Sequence, residues 1–453
     1  MTILGAIFAI AYLIGLGKYG MRGLLTVTVC AAPFSSSAMI AFGGNGVTPF
    51  YVGVILYIIV SLAETLRSPV ERAPFQSRSG VLAVLVSVVG LTAIAGPTWF
   101  AGLPVIAPGV GLDQQVGTQT PLTYSMSGLA QFGYLALALL LVHLNQRHQL
   151  ISRRMITMAL AIGVTVALAA YAFSVVGITW PKAFFDNFPG NFYAKGSSRL
   201  RAQFAEPSQL GAFSLVAFAY FATATLTARA PKRVLAHLAF AGGSALLLVA
   251  SYSGTAIVGL VITAAFGAVI GVVVWIRNGA RIRPVMAISG CVMVIVAIPL
   301  SEYLVNFVTE AVDGKYGGTS FRNRGLANDI AFRIYNETNF IGVGIGNNRA
   351  SSLFPMLLST IGILGVLLFL VLICRSIFTS VALMDRRPLA MGLLAQMAAA
   401  FTSLADFSSP IMWTLIAACY VARPRPEEMV PQIAALNGQR PAGSSLIRRS
   451  TSA

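Results

Sequence analysis

The sequence predicts an all-α integral membrane protein with about 12–13 transmembrane helices. The 453 residues are 57% hydrophobic and only 10% charged, whereas about 25% of the residues in an ordinary soluble domain are charged. Apolar stretches of roughly 17–25 residues recur along almost the whole chain, and this is the length that a helix needs to cross a hydrocarbon core about 30 Å thick. Lys and Arg fall in alternate connections between these stretches, which predicts the side of the membrane on which each connection lies.

Thirteen apolar stretches fit this pattern. The first begins at Met1, because MTILGAIFAI has neither a basic start nor a small-residue cleavage site. We place one membrane domain at 1–422 and expect the Pro-, Ser- and Arg-rich segment 423–453 to be a disordered cytoplasmic tail. The predicted spans are 1–17, 23–42, 47–64, 79–96, 126–144, 155–177, 208–228, 234–250, 254–276, 284–300, 353–374, 388–406 and 409–422.

The 31 Lys and Arg residues separate into two sets. Of these, 22 lie in short connections or in the tail, which the positive-inside rule places in the cytoplasm. The other nine lie in two loops, at about 178–207 and 301–352, which the alternation places outside. Because basic residues are disfavoured on that side, we expect these two loops to carry the chemistry and to bind an anionic, membrane-borne ligand.

The net charge of +17 does not predict nucleic-acid binding, because the basic residues form no run with interleaved aromatics. The four cysteines lie in apolar stretches, so neither a disulfide nor a metal cluster is expected. The three histidines, His143, His148 and His237, lie at or near the predicted cytoplasmic face. We therefore predict no cofactor, and an outer site would rely on arginine electrostatics and one carboxylate.

The first outer loop begins with a segment rich in aromatic residues. Such rings are typical of an interfacial belt or of a short in-plane helix at the level of the lipid headgroups. The alternative interpretation is a platform for sugar rings or for a lipid chain. The segment contains Trp180, Phe184, Phe185, Phe188, Phe192 and Tyr193.

The same loop ends in SSRLRAQFAEPSQ. On an extended segment, alternation places Arg199 and Arg201 on one side, where their planar guanidinium groups suit a phosphate or a diphosphate. Contact with lipid headgroups is the alternative. Glu206 precedes Pro207, a residue type favoured at the first helical position. The carboxylate therefore either interacts with the helix dipole or serves as a general base or as the partner that orients an arginine.

The second outer loop predicts an amphipathic helix over about 322–336. Spacings of seven and four residues place Arg322, Asp329 and Arg333 on one polar stripe. One interpretation is an interfacial helix with an Asp329–Arg333 ion pair at i,i+4 spacing, and the other is a binding surface above the membrane domain. The neighbouring apolar stripe contains Leu326, Ile330 and Ile334.

A glycine-rich turn, GVGIGNNRASS, comes after this helix. Gly342, Gly344 and Gly346 leave the turn with few side chains, so that its backbone amides are able to approach an anion. The spacing is not that of a dinucleotide-binding fingerprint, and no predicted strand–turn–helix unit surrounds it. Arg349 lies just beyond the turn and Arg324 lies in the preceding helix, so both are candidates for contact with a phosphate.

Three stretches resemble the superfamily of O-antigen ligases and Wzy-like polysaccharide polymerases, over about residues 120–420. RLRAQFAEPSQLGAFSL is similar to the Arg-x-x-x-Phe-x-Glu-Pro-Ser pattern that enters a span in exopolysaccharide polymerases. ASYSGTAIVGLVI is similar to their Ser/Thr-Gly turn before the next outer-to-inner helix. FIGVGIGNNRASSLFPMLLSTIGILGVLLFL is similar to their Gly-x-Gly loop and the span after it, and the order of the three stretches also agrees.

The resemblance implies a GT-C-like glycosyltransferase that inverts the anomeric configuration without a metal ion. Its donor would be an oligosaccharide on undecaprenyl diphosphate, and its site would face the periplasmic side of the bacterial inner membrane. Ligases of this superfamily usually carry a histidine in the second large loop, where this chain has NNRASSLF. The polymerase branch is therefore favoured, which joins lipid-linked repeat units of an exopolysaccharide, a capsule or an O-antigen. Membrane lipids and a chain-length regulator or export complex would be its other partners.

Under this hypothesis, arginines hold the diphosphate and stabilise the charge that develops as it leaves. Glu206 is the first candidate for activating the acceptor hydroxyl, and Asp329 is the second. The alternatives are an O-antigen ligase that transfers glycan to lipid A-core, and a transporter or flippase of lipid-linked glycans. A transporter predicts ionisable residues within spans and broken helices, whereas Glu64 and Asp406 lie near predicted span ends. The candidates for substrate binding and charge stabilisation are Arg199, Arg201, Arg322, Arg324, Arg333 and Arg349, with Gly344 and Gly346.

Overall fold

A computed structural model describes residues 1–42, 45–67, 78–107, 118–189, 199–277 and 319–420. The protein is mostly helical, and within these ranges nine helices are long and apolar enough to cross a membrane. The prediction of an all-α, multi-pass membrane protein is confirmed to that extent. The predicted span 284–300 and the predicted tail 423–453 lie outside the described residues.

The helix boundaries follow the predicted spans closely between residues 49 and 277. Two short antiparallel hairpins accompany the helices: β1 (Ile40–Phe42) pairs with β2 (Asn45–Val47), and β3 (Pro104–Val105) pairs with β4 (Thr120–Pro121). The described α-helices are α1 (Ile3–Ala31), α2 (Pro49–Arg67), α3 (Arg78–Trp99), α4 (Met126–His148), α5 (Arg153–Val176), α6 (Lys182–Phe185), α7 (Pro207–Thr227), α8 (Pro231–Ala250), α9 (Gly254–Arg277), α10 (Thr319–Glu337), α11 (Leu353–Val381), α12 (Arg387–Ser403) and α13 (Pro410–Cys419).

The first helix is interrupted at Gly20, where φ is 60° and ψ is −147°. Only glycine adopts such a conformation without strain. The chain reverses at this point. Gly23 lies so close to Gly15 that a Cβ atom added to it would collide with the Gly15 carbonyl oxygen. The predicted spans 1–17 and 23–42 therefore begin as an antiparallel helical pair within α1.

The second member of this pair is shorter than predicted. We expected helix as far as residue 42, but α1 ends at Ala31. Pro33 has no amide hydrogen to donate to the Val29 carbonyl, and this carbonyl instead accepts a bond from the amide of Ala32 at 3.2 Å. Residues 32–39 are non-helical and almost entirely buried, so their backbone groups need partners from elsewhere in the fold.

Contacts between distant parts of the chain bring several helix ends together. Ser61 Oγ lies 3.1 Å from His148 Nε2. Arg153 donates hydrogen bonds to Asp385 O at 3.1 Å and to Thr227 Oγ1 at 3.5 Å. All these residues lie in or beside connections that the positive-inside rule assigns to one side. We call this end of the helical bundle the basic end.

At the opposite end, which we call the loop end, α7 and α9 begin and α12 ends. Helix α9 touches α12 about one turn from these ends. A Cβ atom added to Gly259, near the start of α9, would lie 3.4 Å from the amide nitrogen of Ala399, near the end of α12. A Cβ atom on Gly211, about one turn into α7, would lie 2.7 Å from Ser253 Cβ, just before α9. The three helix ends therefore lie at the same level.

Helices α12 and α13 fall short of the predicted spans 388–406 and 409–422. They contain 17 and 10 residues, and a rise of 1.5 Å per residue makes α13 about 15 Å long, roughly half the thickness of a hydrocarbon core. Residues 404–409 between them are not helical. Pro410, which suits the first position of a helix, fixes the start of α13.

Helix α10 confirms the helix predicted over 322–336, but its buried face differs from the predicted stripe. Leu326 is 43% exposed, whereas the adjacent Ala327 is fully buried. Together with Ile330 and Ile334, Ala327 packs against the β3–β4 hairpin in a small apolar cluster beside the main core. Small alanine side chains allow this close approach, which a leucine at the same face would prevent.

Candidate functional site

Arg201 is held by a carboxylate that the sequence analysis did not single out. Its Nη2 lies 2.5 Å from Oδ2 of Asp186, and the two side chains are only 21% and 10% exposed. The Ser36 hydroxyl donates to the other oxygen of this carboxylate at 2.7 Å, and Nη1 of Arg201 donates to Ala205 O at 3.3 Å. Charge-assisted hydrogen bonds in a poorly solvated place fix the orientation of the guanidinium group.

The non-helical segment 32–39 is the surface on which the first long loop docks. The Ser37 hydroxyl donates to Phe185 O at 2.8 Å, and the Ala38 amide donates to Asn187 Oδ1 at 2.8 Å. These bonds satisfy polar groups that the early end of α1 leaves without helical partners. These bonds hold Phe185 and Asn187, and they thereby place the carboxylate of Asp186, the residue between them, beside Arg201.

Arg199 contacts a different element at the same end of the bundle. Its Nη2 donates to Ser251 O at 3.2 Å and to Tyr252 O at 2.6 Å. These carbonyls belong to the turn between α8 and α9, where Tyr252 has a φ of 46°. Arg199 and Arg201 therefore come from one short segment but are anchored by separate parts of the fold.

Glu206 occupies the N-cap position of α7, and Pro207 is the first helical residue, as the sequence predicts. The carboxylate makes no capping hydrogen bond to a backbone amide. Instead, its Oε2 accepts a bond from the Ser208 hydroxyl at 3.0 Å. The side chain lies at the positive end of the helix dipole and is partly exposed, so it is accessible from solvent.

The candidate residues in the first half of α10 have different surroundings. Arg324 donates from Nη1 to Ser403 Oγ at 2.8 Å, which attaches α10 to the end of α12. Arg322 and Asp329 are both exposed. Arg324 is thus the α10 arginine that the fold ties directly to the loop end, while the other two side chains remain at the surface of this helix.

Arg333 is bound to the β3–β4 hairpin. Its Nη2 donates to Pro104 O at 3.0 Å and to Gln119 Oε1 at 2.7 Å. The ion pair with Asp329, which was one of two interpretations of this stripe, is not formed, and Arg333 instead lies 3.8 Å from the carboxylate of Glu337. The i,i+4 spacing allows Arg333 to pair with either Asp329 or Glu337. The contacts of Arg333 with the hairpin favour Glu337.

The glycine-rich turn fills an interruption in α11 at Gly362, where φ is 66° and ψ is −176°. The Gly344 amide donates to Thr360 O at 2.9 Å, and the Ile363 amide donates to Phe340 O at 3.0 Å. Backbone groups released by the interruption are thereby satisfied by the turn. The Gly344 amide, which we expected to face an anion, is engaged inside the protein.

Beyond this turn, Arg349 approaches Asp406 in the connection between α12 and α13. The positive charge of Arg349 acts on the Asp406 carboxylate, and the amide and the hydroxyl of Ser408 donate hydrogen bonds to its Oδ1 at 2.9 and 2.8 Å. The Arg349 amide donates to Ile106 O at 3.1 Å, in the β3–β4 region. Gly346 packs closely against the first turn of α4, which fixes the path of the chain towards Arg349.

The aromatic segment of the first loop packs on the core. Trp180 stacks on Phe185 with ring centroids 4.6 Å apart, and Phe185 stacks on Phe34 at 6.3 Å. These rings hold the loop against the segment after α1. Phe192 and Tyr193, the last two rings of the predicted platform, lie outside the described residues.

The structure brings candidates from both long loops to the loop end. Arg199 contacts the turn before α9, and Arg324 contacts Ser403, the last residue of α12. These two helix ends lie at the same level, and Asp406, beside Arg349, comes three residues after Ser403. Sequence analysis missed Asp186 and Ser36 altogether. The only signal for Asp186 was that it is a lone carboxylate among the aromatic residues of a loop chosen for its arginines.

Replacing Asp186 by asparagine is expected to destabilise the protein by about 2 kcal/mol. The change keeps the shape but removes the charge facing Arg201, and breaking a buried pair costs about 3–5 kcal/mol, less where some solvent remains. Thermal unfolding in detergent measures the effect. Asp385→Asn is the matched control, because its carboxylate is 94% exposed and lies 3.8 Å from Arg153, and such pairs contribute at most about 1 kcal/mol. Equal melting temperatures for the two variants would contradict this account.

Comparison with known protein families gives no matching family model, and comparison with curated proteins gives no match either. Among the described residues, no group of three or more His, Cys, Asp or Glu side chains is arranged to hold a metal ion.

Proposed function

We propose that this protein is a membrane glycosyltransferase of the polysaccharide polymerase type. It would join repeat units carried on undecaprenyl diphosphate at the outer face of a bacterial inner membrane. The observation that carries the proposal is that arginines from two distant loops, Arg199 and Arg324, are bound to helix ends at the same end of a multi-pass helical bundle. Arginine at a membrane surface suits a lipid-linked diphosphate, because its planar fork binds phosphate oxygens in pairs.

The reaction needs positioning and charge stabilisation more than covalent chemistry. The acceptor hydroxyl oxygen attacks the anomeric carbon of the donor while the bond from that carbon to the phosphate oxygen breaks. The electron pair of the broken bond stays on the departing lipid diphosphate, where Arg199 and Arg201 are placed to stabilise it. A carboxylate accepts the hydroxyl proton. The anomeric configuration inverts, because the attack and the departure occur on opposite faces of the sugar.

At the interruption in α11, the surroundings favour transfer over transport. Transporters use interrupted helices to line a path for the substrate. In α11, the interruption at Gly362 is instead filled by the backbone of the glycine-rich turn. This arrangement supports a rigid outer site built on the bundle, which is what a transferase requires.

The test is transfer by the purified protein in detergent. The substrate is the lipid-linked repeat unit that accumulates in source cells lacking this protein, supplied with EDTA, and the products are resolved by gel electrophoresis and mass spectrometry. We expect a ladder of multiples of the repeat unit, still attached to lipid diphosphate. Transfer only after lipid A-core is added would identify a ligase. Movement of labelled lipid-linked glycan across liposomes without any ladder would identify a transporter.

A further inference from the structure

The connection between α12 and α13, residues 404–409, descends from the loop end into the bundle. It begins after Ser403, which Arg324 binds at the loop end. Helix α13 finishes near the basic end, where the Ser380 hydroxyl, in the last turn of α11, donates to Cys419 O at 3.3 Å. Since α13 is only about 15 Å long, its first residue lies near the middle of the bundle, and the connection crosses the remaining distance without helix.

The packing around residues 404–409 also indicates that this connection reaches towards the middle of the bundle. Phe407 is buried, and its ring centroid lies 4.9 Å from that of Phe369. Phe369 is twelve residues before the end of α11 at Val381, which corresponds to about 18 Å along the helix. The Tyr51 hydroxyl, from the first turn of α2, donates to Ser408 O at 2.6 Å. Non-helical backbone at this depth is tolerated where it is buried in protein or lines a water-filled cavity.

Asp406 lies on this descending connection. The residue is partly exposed, as are Leu404, Ala405 and Ser408, so a small molecule is able to reach this connection. The ring of Phe407 beside it is buried, and Arg324 binds Ser403 at the end from which the connection descends.

The two oxygens of Asp406 have different roles. Oδ1 accepts hydrogen bonds from the Ser408 amide at 2.9 Å and from the Ser408 hydroxyl at 2.8 Å, which fix the orientation of the carboxyl group. Within the described part of the chain, no hydrogen bond reaches Oδ2. By contrast, Asp186 uses both oxygens to hold Ser36 and Arg201. An oriented carboxylate with one uncommitted oxygen is the arrangement that a general base requires.

We propose that Asp406 is the catalytic base of the glycosyl transfer, a role that rests on the proposed function. Its Oδ2 takes the proton of the acceptor hydroxyl as the oxygen bonds to the anomeric carbon and the diphosphate departs with the electron pair. The positive charge of Arg349 lies beside the carboxylate that receives the proton. Glu206, the first candidate from the sequence, is then not the base and keeps its position as the N-cap residue of α7.

The test compares Asp406→Asn and Asp406→Ala with Glu206→Gln in the transfer assay described above. We expect Asp406→Asn to lower the turnover number about 100-fold while the KM for the lipid-linked donor changes less than about threefold. Sodium formate, a small carboxylate, is expected to restore at least about one tenth of the lost rate in Asp406→Ala, because the position of Asp406 is partly exposed and therefore accessible to it. A residue with only a structural role would not respond to formate. Asp385→Asn, at the basic end, is the control for the substitution itself.

The outcomes separate the two proposals. If the wild-type protein transfers glycan and Asp406→Asn transfers it equally well, Asp406 is not the base and the transferase assignment stands. The same conclusion holds if Asp406→Ala is folded, by its melting temperature, but formate restores nothing. A loss confined to Glu206→Gln would assign the base to Glu206. A wild-type protein that transports but never transfers glycan would overturn both proposals.

Discussion

Replacing Arg201 by alanine is expected to reduce the rate of glycan transfer about 1,000-fold. Removing one preorganised group that stabilises developing charge costs about 100- to 1,000-fold in turnover in enzymes generally. The upper end is expected here, because Asp186 and Ser36 fix the guanidinium in a poorly solvated place, where its interaction with a diphosphate is weakly screened. Initial rates at saturating and limiting donor concentrations measure the effect on the turnover number and on the KM separately.

Two further variants give this expectation its controls. Arg201→Lys keeps the charge but loses the planar fork, so we expect it to recover less than about one tenth of the wild-type rate. Arg154→Ala removes an exposed arginine beside the basic end and is expected to leave transfer unchanged. If Arg201→Lys were fully active, a single point charge would suffice and the orientation imposed by Asp186 would have no catalytic role.

Replacing Gly362 by alanine is expected to destabilise the protein by at least about 3 kcal/mol. A φ of 66° with a ψ of −176° lies in a region that is essentially restricted to glycine, at a cost of about 1–3 kcal/mol for other residues. A Cβ atom there would also collide with the carbonyl oxygens of Phe340 and Ile341. Because these are backbone atoms of the turn that fills α11, no side-chain rotation relieves the contact, and the turn must move.

Thermal unfolding in detergent tests this expectation, with Gly242→Ala as the matched control. Gly242 lies in α8, and a Cβ atom on it would meet nothing within 4 Å. Alanine is the better helix former by about 0.5–1 kcal/mol, so this variant should be as stable as the wild type or more stable. A melting temperature for Gly362→Ala equal to that of Gly242→Ala would show that the interruption of α11 tolerates a side chain.

The spans were predictable because each needs about twenty apolar residues in a row, a signal that is independent of the partners of the helix. The stretch after Val29 shows where this signal fails. Its composition is apolar enough for a span up to residue 42, but Pro33 stops the helix, and the non-helical segment 32–39 is stabilised by a loop about 150 positions away. Hydropathy measures the cost of leaving water and does not report such distant hydrogen bonds.

The arginines of the candidate site were predictable from the sequence, but Asp186 and the role of Asp406 were not. Arg201 attracted attention because it breaks the positive-inside rule, whereas Asp186 breaks no rule and is recognised only once its contact with Arg201 is seen. Asp406 was not recognised as a candidate site residue for a related reason. The predicted span 388–406 ended on it, whereas α12 ends at Ser403, so Asp406 lies in a non-helical connection and not at the end of a helix.

The bond between Ser36 and Asp186 also constrains the order in which the chain is assembled in a cell. The Ser36 and Ser37 hydroxyls and the Ala38 amide bind partners that are synthesised about 150 positions later, after α2 to α5 have been made. Until then, this segment leaves unsatisfied polar groups among apolar helices, which is unfavourable within a bilayer. A nascent chain that stops before the first long loop would therefore keep an unfinished N-terminal part, which insertion factors and quality-control proteases are able to detect.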